Sequence, residues 1–400
     1  MTVDPTRRTA ATASSYDVVV AGGGPSGAAA AAALARAGRT VLLADAATGP
    51  PSLGEALPAA ARVLLRDLGA GDLPGRHHLP CYAHLSAWGS AELATQDSIL
   101  DPHGHGWHLD RARFDRELRD HARRSGAEVA EHTVVRPVGR SGGGTWTVEL
   151  RGRHGSSGRE AVRCRWLVDA TGRRAGLATA AGARRVVHDR LVALCLTLPA
   201  PDGPATDGST LVEAVPDGWW YTALLPGGRR LLARYTDADL PGARAGGVEP
   251  VPGLAGTRHT ALRAAAHPWP DDPVVRRAPA HTARLDAVTG DGWTAVGDAA
   301  AAFDPLSSQG VLTALFTGLR AGEALHDHLG GDRTALAGYA AELDTVTAVH
   351  LRNRHAYYSL EGRWPRHPFW RRRHTAGATR PDGGRASTAP VPLTSPGVPA

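Results

Sequence analysis

The segment Tyr16-Asp17-Val18-Val19-Val20-Ala21-Gly22-Gly23-Gly24-Pro25-Ser26-Gly27 constrains this chain more than any other stretch. Its short apolar run, Val18 to Ala21, predicts a buried strand. The run enters Gly22-x-Gly24-x-x-Gly27 and then an alanine-rich helix from about Ser26 to Ala37. Each glycine answers a steric demand. Gly22 makes the tight turn, Gly24 lets backbone approach a pyrophosphate, and Gly27 allows close helix–strand packing. The helix start, with Ser26 in its first turn, offers free N–H groups and a positive dipole end to phosphates. Gly38 closes the helix, and Thr40 to Ala44 form a second apolar strand ending at Asp45. An acid about twenty residues beyond the glycines is placed to accept ribose hydroxyls. Strand, glycines, helix, strand and acid in this order predict a dinucleotide site.

The rest of the chain divides around that unit. Leu57, Ala61, Leu64, Leu65 and Leu68 recur near helical spacing, and 76–107, rich in His, Gly and Pro, reads as loop and strand over a pocket. Residues 110–124 predict an amphipathic helix capped by Asp110. Gly142-Gly143-Gly144 precedes a strand and no helix, so it predicts a hairpin turn rather than a second dinucleotide site. Trp166 to Asp169 is a further strand ending in the polar turn Ala170-Thr171-Gly172. Runs at Leu191–Leu198, Gly218–Leu225 and Arg230–Tyr235, separated by Pro/Gly turns, predict a separate sheet. Trp293 to Val296 then forms a strand ended by Gly297-Asp298, followed by helices over 310–326 and 337–358. The expected partition is an α/β nucleotide-binding domain over 15–75, 106–180 and 285–345, and a substrate domain over 76–105 and 181–284. A C-terminal helical region over 346–375 and a disordered tail over 376–400 complete it.

Composition excludes several function classes. The formal net charge of the 400 residues is +6, and residues 363–400 alone hold seven arginines against one acid. With the excess gathered at one end and no basic face interleaved with aromatics, a nucleic-acid partner is not expected. Cys81, Cys164 and Cys195 share no metal or redox spacing, so buried thiols in a reducing cytoplasm are expected and no metal site. Residues 1–15 lack an apolar signal core, and no apolar run approaches the roughly eighteen residues of a membrane span. A cytoplasmic protein without a membrane partner is the expectation. The chain contains no lysine, so all 45 cationic residues are arginine and any mechanism needing a lysine amine is excluded.

Three separated motifs, Gly22-x-Gly24-x-x-Gly27, Asp169-Ala170-Thr171-Gly172 and Gly297-Asp298 before a helix, resemble the FAD-dependent aromatic monooxygenase and flavin-dependent halogenase superfamily. The resemblance implies a Rossmann-like, p-hydroxybenzoate hydroxylase-like FAD domain with an inserted β-sheet substrate domain. It also implies that Gly297 and Asp298 meet the ribityl and pyrophosphate groups, that Gly172 and Arg111 contact FAD, and that Pro305, Gln309 and Gly310 lie in the loop along the flavin. Gly54-Glu55-Ala56-Leu57-Pro58 and Gly218-Trp219-Trp220-Tyr221-Thr222-Ala223-Leu224-Leu225-Pro226 are similar to altered halogenase elements. Cys81-Tyr82, Ser86-Ala87-Trp88-Gly89 and Gly104-His105-Gly106-Trp107-His108-Leu109-Asp110-Arg111 are similar to a narrower set. That set oxygenates tryptophan side chains in peptides or proteins and includes maturation factors for quinone-cofactor amine oxidases.

The resemblance implies hydroxylation of a tryptophan ring through a flavin C4a-hydroperoxide. O₂ is the co-substrate, with electrons from NAD(P)H directly or through a flavin reductase partner. Halogenases of this superfamily rely on a lysine amine, so the absence of lysine disfavours halogenation. An FAD-dependent dehydrogenase or reductase and a non-catalytic peptide-binding maturation factor remain as alternatives, since fold alone does not separate them. His105 and His108, beside Arg111 in sequence, are the candidate bases, with Glu55 as the alternative, weighed against holding FAD. Trp88, Trp107, Trp220 and Tyr221 are expected to line a groove for the indole of a Trp-containing peptide or protein.

Overall fold

A computed structural model describes residues 14–47, 56–152, 159–204, 207–244 and 250–375. Glu55 and the tail expected to be disordered lie outside these residues. Val18, Val19 and Val20 are completely buried in the strand Ser15–Ala21, which is covered on both faces, as a continuous apolar run requires. It pairs in parallel with Val41–Asp45 on one side and Arg159–Asp169 on the other, with Val18 opposite Val41 and Trp166. The sheet runs Thr289–Gly290, Trp293–Ala295, Arg159–Asp169, Ser15–Ala21, Val41–Asp45, Glu128–Glu131. An antiparallel hairpin, Thr133–Arg140 with Trp146–Gly152, extends it through Arg159–Asp169, and Gly142–Gly144 lies in the turn of that hairpin.

The helix Pro25–Arg36 is built mostly of alanine because another helix, Gly310–Gly330, lies directly on it. A Cβ on Gly318 would fall 2.2 Å from the Ser26 carbonyl oxygen, and one on Gly322 would fall 2.8 Å from Ala33 Cβ. Small residues four apart on one helix, facing alanines on the other, set this close approach. It fixes the start of the first helix against the segment that follows Gly297.

The second sheet has seven strands in the order Arg276–Pro279, Leu191–Leu198, Arg230–Asp237, Gly218–Leu224, Ser209–Val215, Ala83–Ala87, Ala94–Asp97. Alternate residues divide between its faces. Leu191, Ala193, Cys195, Trp219, Tyr221, Leu231 and Ala233 share one face with Tyr358, Phe369 and Trp370 of the C-terminal helices Ala335–Leu360 and Pro368–Thr375. Leu194, Leu196, Leu198, Trp220 and Leu232 share the other with Val251 and with Ala264 of the helix His259–Ala265. The basic C-terminal segment is partly neutralised here: Arg372 and Arg373 pair with Asp237 at 2.8 Å, and Arg363 with Glu361 at 2.6 Å. Among the described residues no helix is long and apolar enough to cross a membrane.

Candidate functional site

A cavity of about 1400 Å³ lies between the nucleotide-binding loops and one face of the second sheet. Gly22, Gly24, Ser26, Asp45, Arg111, Gly172, Asp298, Pro305 and Gly310 all line it, drawn from segments up to nearly 290 residues apart. Gly27 and Gly297 stand behind the wall. A Cβ on Gly27 would fall 1.9 Å from the Gly22 carbonyl oxygen, and one on Gly297 would fall 2.5 Å from Ser26 Oγ. Gln309 faces a neighbouring smaller cavity.

Local chemistry builds each part of this wall. Gly22 turns with φ +113°, a conformation that favours glycine, and its Cα faces the Ala170 carbonyl. Gly24 is different: φ is −73° and nothing lies within 4 Å of a Cβ placed there, so the space in front of it is open. No side chain caps the helix that Gly24 begins, and Gly24, Pro25 and Ser26 at its start line the cavity, an arrangement that suits an anion. Asp45 accepts from Gly23 N at 3.4 Å and sits 3.6 Å from Arg119, which also donates to the Gly23 carbonyl at 3.2 Å. Asp169 is buried and accepts from Thr171 N (3.0 Å), Thr171 Oγ1 (2.6 Å), Leu177 N and Ala178 N (both 2.8 Å). Its carboxylate is thus consumed in shaping the turn that presents Gly172 to the cavity.

Arg111 is held by a twofold contact with Asp115, both distances 3.1 Å. Arg173 sits 3.4 Å from Asp298 and donates to the carbonyls of His281 (2.6 Å) and Phe303 (3.3 Å). The helix Gly310–Gly330 also begins without a side-chain cap, at Gln309. Two uncapped helix starts, the Asp45 carboxylate at the end of its strand and open space before Gly24 and Gly172 fit FAD. The volume exceeds the roughly 300–1,000 Å³ of a single-ligand site and leaves room for a substrate.

The far end of the cavity is aromatic. Ala193, Cys195, Trp219, Tyr221, Leu231 and Tyr235 line it, and Trp219 stacks on Tyr235 with ring centroids 3.9 Å apart and planes at 16°. Of the four aromatic side chains expected at a substrate groove, only Tyr221 lies here. Trp220 differs from the expectation because a strand alternates sides: it points to the opposite face, under Arg234. Trp88 stands behind the wall, edge-on to Trp219, Tyr358 and Trp370, and donates to the Tyr357 carbonyl at 2.8 Å. Trp107 is buried beneath the Arg62 guanidinium, 4.0 Å from its ring.

Neither expected histidine reaches the large cavity. His105 Nδ1 is 2.8 Å from the Gly106 carbonyl, and its ring lies edge-on to Tyr82 and Trp107. His108 is fully buried between Ala56–Leu57 and Leu79–Cys81, and that burial pushes its pKa down to about 4. A different histidine lines a cavity that adjoins the large one. His84, with Cys81, Trp107, Thr210, Ser307 and Gln309, lines the smaller cavity of about 40 Å³, room for about three waters. Ala56 and Ser308 line both cavities, so the two adjoin. His84 Nδ1 is 2.7 Å from Thr210 Oγ1, and burial lowers its pKa, favouring the neutral ring. The Cys81 thiol is pushed up to about 11 by burial and is no nucleophile at neutral pH. Among the described residues no group of three or more His, Cys, Asp or Glu is arranged to hold a metal.

Comparison with known proteins agrees with this geometry. Residues 15–249, more than half of the chain, match the FAD binding domain family. LodB of Marinomonas mediterranea, named as an FAD-dependent oxidoreductase, is 28% identical over 313 residues, 75% of this chain and 79% of its own length. The solved structure of QhpG, a peptidyl tryptophan dihydroxylase essential for tryptophylquinone cofactor biogenesis, is similar with TM-score 0.69. Its identity is 27%, covering 90% of this chain and 79% of that one. The myxobacterial chondrochloren halogenase CndH is similar in fold with TM-score 0.70 and 23% identity, covering 90% of this chain and 86% of that one.

Proposed function

The chain belongs to the FAD binding domain family, within the superfamily of FAD-dependent aromatic monooxygenases and flavin-dependent halogenases, and from that premise we propose that it hydroxylates the indole of a tryptophan carried in a peptide or protein. The observation that carries this reading is the single cavity that joins the glycine loops to the Trp219, Tyr221 and Tyr235 wall. Similarity to QhpG favours a peptidyl tryptophan among aromatic substrates. Similarity to CndH keeps halogenation in view, and the lack of any lysine argues against it.

Bound FAD supplies the activation of O₂: one oxygen atom enters the ring, the other leaves as water, and two electrons come from NAD(P)H directly or through a flavin reductase. The chain's own residues bind and orient. Backbone N–H groups after Gly24 take the pyrophosphate, Asp45 accepts the ribose hydroxyls, and Arg111 and Asp298 flank the cofactor's path. The aromatic wall takes the indole by stacking and excludes water from it. Hydroxylation releases the hydrogen of the oxygenated ring carbon as a proton, its electron pair returning to the ring. His84 accepts that proton at Nε2 through water in the small cavity, with Nδ1–H donating to Thr210.

Turnover of a Trp-bearing peptide and of free tryptophan by the FAD-loaded protein tests the substrate class. The peptide is expected to show kcat/KM at least about tenfold higher, about 1.4 kcal/mol of extra transition-state binding. Equal or better turnover of free tryptophan refutes the peptide reading.

A further inference from the structure

We propose that Tyr358 is a positioning residue whose hydroxyl ties the aromatic wall of the cavity to the loop at its cofactor end. Asp304 is the anchor on the loop side. It is buried, its Oδ1 accepts from Leu306 N at 3.0 Å, and its Oδ2 accepts from both Tyr358 Oη and Arg354 Nε at 3.0 Å. Pro305, Ser308 and Gly310, which follow, line the cavity. On the wall side, Trp219 Nε1 donates to the same Tyr358 hydroxyl at 3.0 Å, and the Trp219 ring faces the cavity stacked on Tyr235.

One hydroxyl therefore accepts from one wall and donates to the other. Burial first, and Asp304 next, push the Tyr358 pKa up, so the phenol stays protonated and able to donate. Arg354 sits one turn earlier on the same helix, 3.0 Å from Asp189, whose carboxylate accepts from Leu191 N (3.0 Å) and Thr282 N (3.1 Å). The end of the helix Ala335–Leu360 thus braces the loop from two side chains and connects it to the second sheet.

The loop opens the uncapped helix Gly310–Gly330, whose start favours negative charge. A two-electron-reduced flavin ring carries a negative charge that the oxidised ring lacks, so a loosened loop weakens the reduced form more. The inference rests on the FAD site and not on which ring is hydroxylated; a chain that binds FAD and leaves every tryptophan peptide untouched is still tested by it.

The test is Tyr358→Phe in the full chain, which keeps the ring and removes the hydroxyl. Dissociation constants for oxidised FAD and the flavin midpoint potential together give the affinity ratio of reduced to oxidised cofactor. Oxidised FAD is expected to bind within about threefold of wild type, while the ratio falls about fivefold, the size of one lost hydrogen bond. Trp219→Phe is expected to move the ratio the same way, and the double variant to add little to either single change. Asp304→Asn, which weakens the acceptor without changing its size, follows the same direction if Tyr358→Phe folds poorly. A ratio within twofold of wild type in Tyr358→Phe, or strictly additive effects in the double variant, overturns the proposal.

Discussion

A Gly24→Asp variant is expected to fold normally and to emerge from purification without FAD. The two halves of that expectation have separate causes. Nothing lies within 4 Å of a Cβ at Gly24 and its φ is −73°, so a side chain is accommodated without strain. The space it enters is the approach to the uncapped helix start, where the pyrophosphate belongs. A carboxylate about 4 Å from a phosphate charge costs about 4 kcal/mol at an effective dielectric near 20, a loss of affinity of about a thousandfold. Gly27 makes the contrast, because its Cβ would meet the Gly22 carbonyl at 1.9 Å and damage the turn itself. Circular dichroism and the visible flavin spectrum separate the outcomes. Full flavin absorbance in folded Gly24→Asp protein contradicts the assignment of the cofactor site.

His84→Gln is expected to lower the hydroxylation rate by about a hundredfold, the low end of what a positioned base contributes. Glutamine retains a hydrogen bond to Thr210 but cannot take a proton. His84 lies outside the large cavity, so FAD affinity is expected to hold. The pH dependence has a definite sign. Burial lowers the His84 pKa, so the neutral, accepting form is present at neutral pH and is lost as pH falls through a value below the usual 6.5. Wild-type rate should therefore fall on the acid side below that point, and the variant should lose this limb. An unchanged acid limb, or a rate within twofold of wild type, removes His84 from the mechanism.

The cofactor half of the molecule was legible because its determinants are local. Gly22, Gly24, Gly27 and Asp45 lie within one strand–helix–strand unit, where turn geometry, helix packing and the parallel pairing Val18–Val41 follow from spacing. The Gly142–Gly144 turn was legible for the same reason. Side-chain direction along Gly218–Leu224 was also available in principle: a period of two places Trp219 and Tyr221 together and sends Trp220 to the other face. Which face met the cofactor was not available, because that depends on how the two sheets pack.

His84 gives no sequence signal. Its proposed role rests on a parallel pairing with Thr210, 126 residues on, and on the later loop Ser307–Gln309 closing the small cavity. Nearness to Arg111 in sequence is the ground for expecting His105 and His108 at the site. The extended backbone of Gly106–His108 pairs on both sides, burying His108 while holding His105 against Tyr82 and Trp107. Tyr358 reads from sequence only as part of the helix over 337–358, and Trp88 as a candidate for the substrate groove. Packing made one a brace and the other a support behind the wall. Expectation and structure part mainly where a site is assembled across long sequence separations.

The most direct test of the central claim is the product. The FAD-loaded protein, a reducing system, isotopically labelled O₂ and a tryptophan-bearing peptide are combined in the presence of chloride and bromide, and the peptide is sequenced by mass spectrometry. The account predicts tryptophan carrying labelled oxygen and no halogen, with Gly24→Asp protein yielding neither. Halogenated tryptophan, or a peptide left unmodified while the reduced flavin passes its electrons to O₂ or another acceptor, would contradict it.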